Sequence, residues 1–100
     1  MMQRLDLAEL GAQRLCLPRL AVFDAQQTLL ATWELWQPIL MWENVETLSL
    51  SESAAVEIGS WHRGSQATRH VVWEAAHLVA PIITAAPSLY HGFDVRLWPI

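Results

Sequence analysis

The clearest pattern of apolar and polar positions lies in the second half of the chain. Apolar or small residues recur there at about 100° per residue, the spacing of one helix face. The stripe comprises Ala54, Ile58, Trp61, Ser65, Thr68, Val72, Ala76, Val79 and Ile83. Glu52, Gly59, Arg63, Gln66, His70, Glu74 and His77 occupy the opposite side. The pattern predicts one long amphipathic helix from about Glu52 to Ala80, opened by Ser49 and Glu52 at capping-box spacing.

The length of this predicted helix sets a condition on it. A straight helix over 52–80 would measure roughly 43 Å, whereas a compact chain of this size is only about 33 Å across. The helix must therefore either bend or protrude. Gly64 followed by Ser65 is the expected place for a bend, because glycine weakens a helix interior.

The first forty residues favour helices as well. Residues 3–16 read as an amphipathic helix with Leu5, Ala8, Ala12 and Leu15 on its apolar face, closed by Pro18. The following segment, 19–42, has the composition of a second helix. Asp24 is its expected N-cap, and Pro38 is expected to kink or end it. Leu29, Trp33, Trp36 and Leu40 recur on one face.

The same segment admits a second interpretation. LAVFD at 20–24 and TLLATW at 28–33 could form two strands around a short turn. That pattern resembles the opening of a PAS-type sensor domain, a resemblance that covers only about residues 19–42 and implies a β-rich sensory module with a ligand cavity. The helix is favoured, because Ala, Gln, Leu and Glu dominate and no Gly or Asn supplies the turn.

The chain changes character after Pro87. Three apolar residues, Phe93, Val95 and Leu97, alternate with Asp94, Arg96 and Trp98. This period of two is typical of a short strand. The predicted fold class is therefore mainly α: a single-domain, small helical bundle with one long, kinked helix and a short C-terminal extended segment. An α+β fold with an N-terminal hairpin is the alternative.

Composition indicates that part of the surface is covered by another molecule. Hydrophobic residues make up 53% of the 100 residues and charged residues 16%, so few polar groups are left to coat a small domain. A homodimer or a protein partner is the simplest cover. The net charge of −4, with arginine as the only cationic side chain besides histidine, gives no basic field for direct nucleic-acid binding.

Cys16 is the single cysteine, which excludes an internal disulfide and a cysteine-based zinc site. We expect a cytoplasmic protein, since Asp6 and Glu9 interrupt the N-terminal region where a signal peptide needs apolar residues. The apolar segment 71–89 contains Glu74 and two prolines, so no membrane span is expected. No cofactor is expected either, because the four glycines are scattered rather than gathered into a phosphate-binding loop.

His70, Glu74 and His77 form the one arrangement typical of metal ligands. They share one arc of the predicted helix, and Glu-x-x-His is half of the motif used by carboxylate-bridged metal bundles. A two-metal site needs the motif twice, and the chain contains it once. The simpler interpretation, which we favour, is a solvated helix face carrying an i, i+4 His–Glu pair.

The tryptophans are the strongest indication of function. Six in 100 residues is high, and Trp and Arg dominate the energetics of protein interfaces. The predicted partner-binding residues are Trp36, Leu40, Trp61, Trp73 and Trp98. We expect a small non-catalytic regulator, such as an anti-activator that prevents a transcription factor from dimerising. A metal-dependent helical enzyme or ligand binder using His70, Glu74 and His77, and a PAS-like sensory module, are the alternatives.

Overall fold

The computed structural model describes residues 14–100 and shows a mixed α/β fold. In that part of the chain, four α-helices accompany two separate two-stranded parallel sheets. In chain order the elements are β1 (Leu15–Pro18), α1 (Arg19–Leu29), α2 (Trp33–Leu40), β2 (Val45–Leu48), α3 (Glu52–Gly59), α4 (Gln66–Leu78), β3 (Ile82–Thr84), a 3₁₀ turn (Pro87–Tyr90) and β4 (Leu97–Pro99). The prediction of a mainly α helical bundle is therefore wrong.

Both sheets pair strands that are distant in sequence. In the first sheet Leu15 lies opposite Val45 and Pro18 opposite Leu48. In the second, β3 runs parallel to β4 with Ile83 opposite Trp98. Parallel strands require a crossover connection, which α1 and α2 provide in the first sheet and the 3₁₀ turn with its flanking loops provides in the second.

Helix α4 is the element on which the others pack. It contacts α1 on one side, α3 on another, and both β1 and β3. Its buried residues Val72 and Ala75 meet Ile82 and Tyr90, and these four form the central core. Trp61, Val71, Phe93, Val95 and Leu97 are partly buried against that core.

The predicted long helix over 52–80 is in fact two helices. The break lies between Gly59 and Gln66, and Gly64 takes a positive φ of 81° that glycine adopts without strain. The predicted bend at Gly64 and Ser65 is thus confirmed, although it is a full interruption. Straight continuation would have exceeded the 37 Å longest extent of the molecule.

The helix caps differ from those predicted. Ser51, and not Ser49, caps α3 by accepting a hydrogen bond from the Ala54 N–H. Ser65 caps α4 by accepting one from the Thr68 N–H. Each cap satisfies one of the backbone donors that a helix N-terminus leaves without a partner.

The segment 19–42 is helical, so its hairpin interpretation is wrong. It forms two helices, however, because Leu30 takes a left-handed conformation with φ of 49° and ends α1. Asp24, the predicted N-cap, lies inside α1, and Pro38 lies inside α2 near its end. The predicted helix over 3–16 lies outside the described residues except at its end, where Leu15 and Cys16 belong to β1 instead.

None of the helices in the described part of the chain combines the length and the apolarity that a bilayer crossing requires. The apolar segment 71–89 is divided among the end of α4, β3 and the start of the 3₁₀ turn.

Candidate functional site

The corner between α1 and α2 is held by one glutamine side chain. The Gln26 amide group donates to the Ala31 carbonyl oxygen at 2.7 Å and accepts a hydrogen bond from the Trp36 indole N–H. The Leu30 N–H closes the end of α1 on the Gln26 carbonyl oxygen at 2.8 Å. These bonds fix the position of α2, whose main contacts are with β2.

Helix α2 is apolar on two sides. Trp36 and Leu40, four residues apart, are half-buried. Leu35 and Ile39 form a second stripe that Trp42 continues, at positions i, i+4 and i+7. These three side chains are 51%, 44% and 46% exposed. No residue of α2 is fully buried, so this helix has apolar faces directed both inward and outward.

Further exposed apolar side chains lie near the outer stripe along the chain, at the end of α1, in α2 and just after it. Together they form what we call the α2 surface: Leu29, Leu30, Trp33, Leu35, Ile39, Met41 and Trp42, all of them exposed. Large apolar side chains that stay exposed together on a helix are typical of a protein-binding site. The α2 surface therefore has the composition of a contact surface.

Glu34 is the charged residue of α2. Hydrogen bonds from its own backbone N–H and from the Thr32 hydroxyl lower the pKa of this carboxyl below its ordinary value. It lies in the first turn of the helix, where a negative charge interacts favourably with the helix dipole. The carboxylate is thus held at the end of α2, apart from the outer stripe at Leu35 and Ile39.

The structure does not bring the predicted partner-binding residues together. Trp36 and Leu40 lie on the inward side of α2. Trp61 packs in the core against Phe93, with ring centroids 6.1 Å apart. Trp98 lies in β4. Leu35 and Ile39, which the sequence analysis did not name as partner-binding residues, also repeat at helical spacing, beside the Trp36 stripe.

Trp73 has partners within the chain. Its indole N–H donates to the Glu57 carboxylate at 2.8 Å, which joins α4 to α3. Its ring stacks on His77 with centroids 3.7 Å apart, and the His77 Nδ1–H donates to the Trp73 carbonyl oxygen at 2.7 Å. Trp73 is therefore half-buried by contacts between α3 and α4.

The three candidate metal ligands lie in different environments. His70 is fully buried, and its Nε2 lies 3.6 Å from the Glu74 carboxylate, beyond hydrogen-bonding distance. Burial lowers the pKa of His70, with Glu74 and the Ser49 backbone opposing that shift. His77 is exposed, and its ring stacks on that of Trp73. Within residues 14–100, no three His, Cys, Asp or Glu side chains are grouped so as to hold a metal ion.

A cavity of about 490 Å³ lies where β1, β3 and α4 meet. Aliphatic side chains form most of its wall, including Leu17, Val71, Leu78 and Ile83. Its polar and aromatic lining residues are Arg14, Cys16, Glu74, Tyr90 and Trp98. Trp98 is thus one of the residues that line this cavity.

The two weakly acidic groups of this cavity are held in their neutral forms. Burial raises the pKa of the Cys16 thiol, and Glu46 raises it further. Burial also raises the pKa of the Tyr90 phenol. A reactive cysteine needs a lowered pKa, so Cys16 lacks the environment of a nucleophile.

No protein-family model, curated protein or solved structure matches this chain.

Proposed function

We propose that the protein is a non-catalytic protein-binding regulator that associates through the α2 surface, first of all with a second copy of itself. The observation that carries the proposal is the outward apolar stripe of Leu35, Ile39 and Trp42 on a helix with no fully buried residue. Apolar side chains of this size at the centre of a patch are what binding free energy at interfaces depends on.

The exposed apolar area in and beside α2 is large enough for a dimer. From their exposed fractions, the seven residues of the α2 surface present on the order of 800 Å². A standard protein interface buries about 800 Å² on each partner. A two-fold dimer would place this surface against its own copy, and each α2 would cover the other.

Charge also favours self-association at this place. Although the chain carries a net charge of −4, only Glu34 belongs to α2, where it lies at the N-terminal end, and the exposed Glu43 follows Trp42 at the other end of the stripe. Two copies of the outer stripe can therefore approach without placing many like charges in the dry centre of the interface.

The protein would regulate its target by exchanging the second copy bound at the α2 surface for another protein. A dimer that opens would release an apolar helix able to cover an equivalent surface on a larger protein, for example the dimerisation face of a transcription factor. The chain would then act by occlusion, and the rate at which it changes partners would set its response. Mixing two differently tagged preparations should yield mixed dimers; tagged dimers that never exchange would contradict this form of the proposal.

The dimer itself is tested by light-scattering mass across a dilution series. Wild type should show twice the 11.3 kDa chain mass and dissociate on dilution. Leu35→Glu combined with Ile39→Glu should give the single-chain mass throughout. The matched control is Val56→Glu combined with Leu89→Glu, which adds the same charges at apolar positions that are 77% and 56% exposed elsewhere.

The control pair should remain dimeric. Wild type at the single-chain mass at every concentration would contradict self-association. Equal dissociation by both pairs would contradict the assignment of the interface to α2. Circular dichroism of each variant should match wild type, since all four substituted positions are exposed.

A further inference from the structure

The cavity between the sheets has the size and lining of a ligand site. Small-molecule sites in proteins measure about 300–1,000 Å³ and combine apolar walls with a few placed polar groups. This cavity, at about 490 Å³, lies within that range. Leu17 and Ile83 approach it from the two sheets, while Val71 and Leu78 of α4 supply another wall.

Two of the lining residues, Cys16 and Ile83, lie at strand positions whose backbone groups are directed away from the paired strand. In a parallel pair, one residue directs its N–H and C=O to the partner strand and the next directs both away. The Leu15 N–H donates to the Asn44 carbonyl oxygen where β1 pairs with β2. The backbone N–H and C=O of the next residue, Cys16, are therefore directed away from β2. The Ile82 N–H likewise donates to the Arg96 carbonyl oxygen, which directs Ile83 away from β4. Cys16 and Ile83 both line the cavity.

The charge in the wall is negative. The Glu74 side chain is only 13% exposed, and the nearest basic group, His70 Nε2, lies 3.6 Å away. Burial lowers the pKa of His70, which favours the uncharged form of that imidazole. Arg14, at the rim, is paired with Glu46 at 2.8 Å. The Glu74 carboxylate therefore lies in a mainly apolar wall, and burial favours the uncharged form of the imidazole beside it.

We propose that this cavity binds a small, mainly apolar molecule that carries a protonated amine. The ammonium group would contact the Glu74 carboxylate, and the hydrocarbon part would lie between Leu17 and Ile83. A buried carboxylate favours a cation that replaces its lost hydration, whereas an anion of the same shape would be repelled. The site is independent of the α2 surface, so either proposal can fail without the other.

Isothermal titration calorimetry with three probes of equal chain length tests the site. The probes are n-octylamine, n-octanol and octanoate at pH 7, kept below the concentrations at which they form micelles. We expect n-octylamine to bind at least about tenfold more tightly than n-octanol, since hydrogen bonds to charged groups are the stronger ones. Octanoate should bind most weakly. Octanoate binding as tightly as n-octylamine would overturn the proposal.

Two variants locate the binding. Glu74→Gln should remove the preference for the amine over the alcohol, whereas Glu52→Gln, at an exposed position of α3, should preserve it. Ala21→Phe should block binding of all probes, because Ala21 lines the cavity. The matched control Ala55→Phe adds the same ring at an exposed position. Unchanged binding to Ala21→Phe would place the probes elsewhere and overturn the proposal.

Discussion

Replacing His70 by leucine tests how the buried face of α4 is stabilised. His70 is fully buried, and among residues 14–100 no group meets hydrogen-bond geometry at Nδ1 or Nε2, although the Glu74 carboxylate at 3.6 Å and the Ser49 backbone both influence the imidazole. A buried polar group without a partner costs about 1–3 kcal/mol, whereas an apolar side chain of similar size carries no such cost. Allowing for the imperfect match in shape, His70→Leu should raise the free energy of unfolding by about 1 kcal/mol at pH 7.

The pH dependence of stability provides the second half of this test. The unfolded chain takes up a proton on His70 near its ordinary pKa of 6.5, while burial lowers the pKa in the folded state. The folded protein therefore binds fewer protons, and its stability falls as the pH decreases below about 6.5. The His70→Leu variant has no imidazole at this position and should not lose stability in this way. The difference in free energy of unfolding between the variant and wild type should therefore grow as the pH is lowered from 7 to 5.

Urea unfolding followed by tryptophan fluorescence at pH 7, 6 and 5 measures both effects. His62→Leu is the control, because His62 is exposed. A His70→Leu variant that is destabilised by more than about 2 kcal/mol, with a pH slope equal to that of wild type, would refute the reasoning. That result would mean that the imidazole forms a stabilising hydrogen bond in the protein.

Three backbone positions give further predictions, each measured by thermal unfolding. Gly64→Ala should destabilise the protein by about 1–2 kcal/mol, because φ is +81° and a Cβ would lie 3.3 Å from Phe93 and Thr68 side-chain atoms. Gly59→Ala, with no atom within 4 Å of its added Cβ, should stabilise α3 by up to about 1 kcal/mol. Val79→Gly should stabilise by about 1 kcal/mol, since this exposed, β-branched residue ends α4 at φ of 51°. An opposite sign at any of these positions would show that its backbone conformation differs from the one described.

The helices could be predicted better than the sheets because their signals are local. Glycine and serine at 64 and 65 indicate a helix break, and the composition of 19–42 indicates helix. The position of the break after α1 was missed, since nothing in the identity of Leu30 indicates a left-handed conformation. Leucine adopts that conformation only where tertiary structure requires it.

The sequence pattern did not indicate the parallel strand pairings. The first strand, LCLP, has four residues, includes a proline and shows no alternation. Its pairing of Leu15 with Val45 joins residues separated by two helices. Pairings of this kind depend on packing against α4, which local sequence does not encode. A strand was predicted near the C-terminus because Phe93 to Leu97 alternate, yet only the end of that segment pairs.

The predicted partner-binding residues include two from α2 but none from the exposed α2 surface. Residue type directed attention to Trp36 and Leu40, and α2 is where the exposed apolar residues cluster. Tryptophan content alone could not separate inward from outward positions, because that distinction depends on how β2 packs against the helix. The cavity was not predicted, since its lining comes from elements far apart in sequence.

Hydrogen exchange of the α2 backbone at two protein concentrations tests the central claim most directly. If a second copy covers the α2 surface, the amides of Ile39, Leu40 and Met41 should exchange more slowly at the higher concentration. The amides of α3 should exchange at the same rate at both. Exchange in α2 that does not change with concentration, in a sample that light scattering shows to be monomeric, would contradict the account.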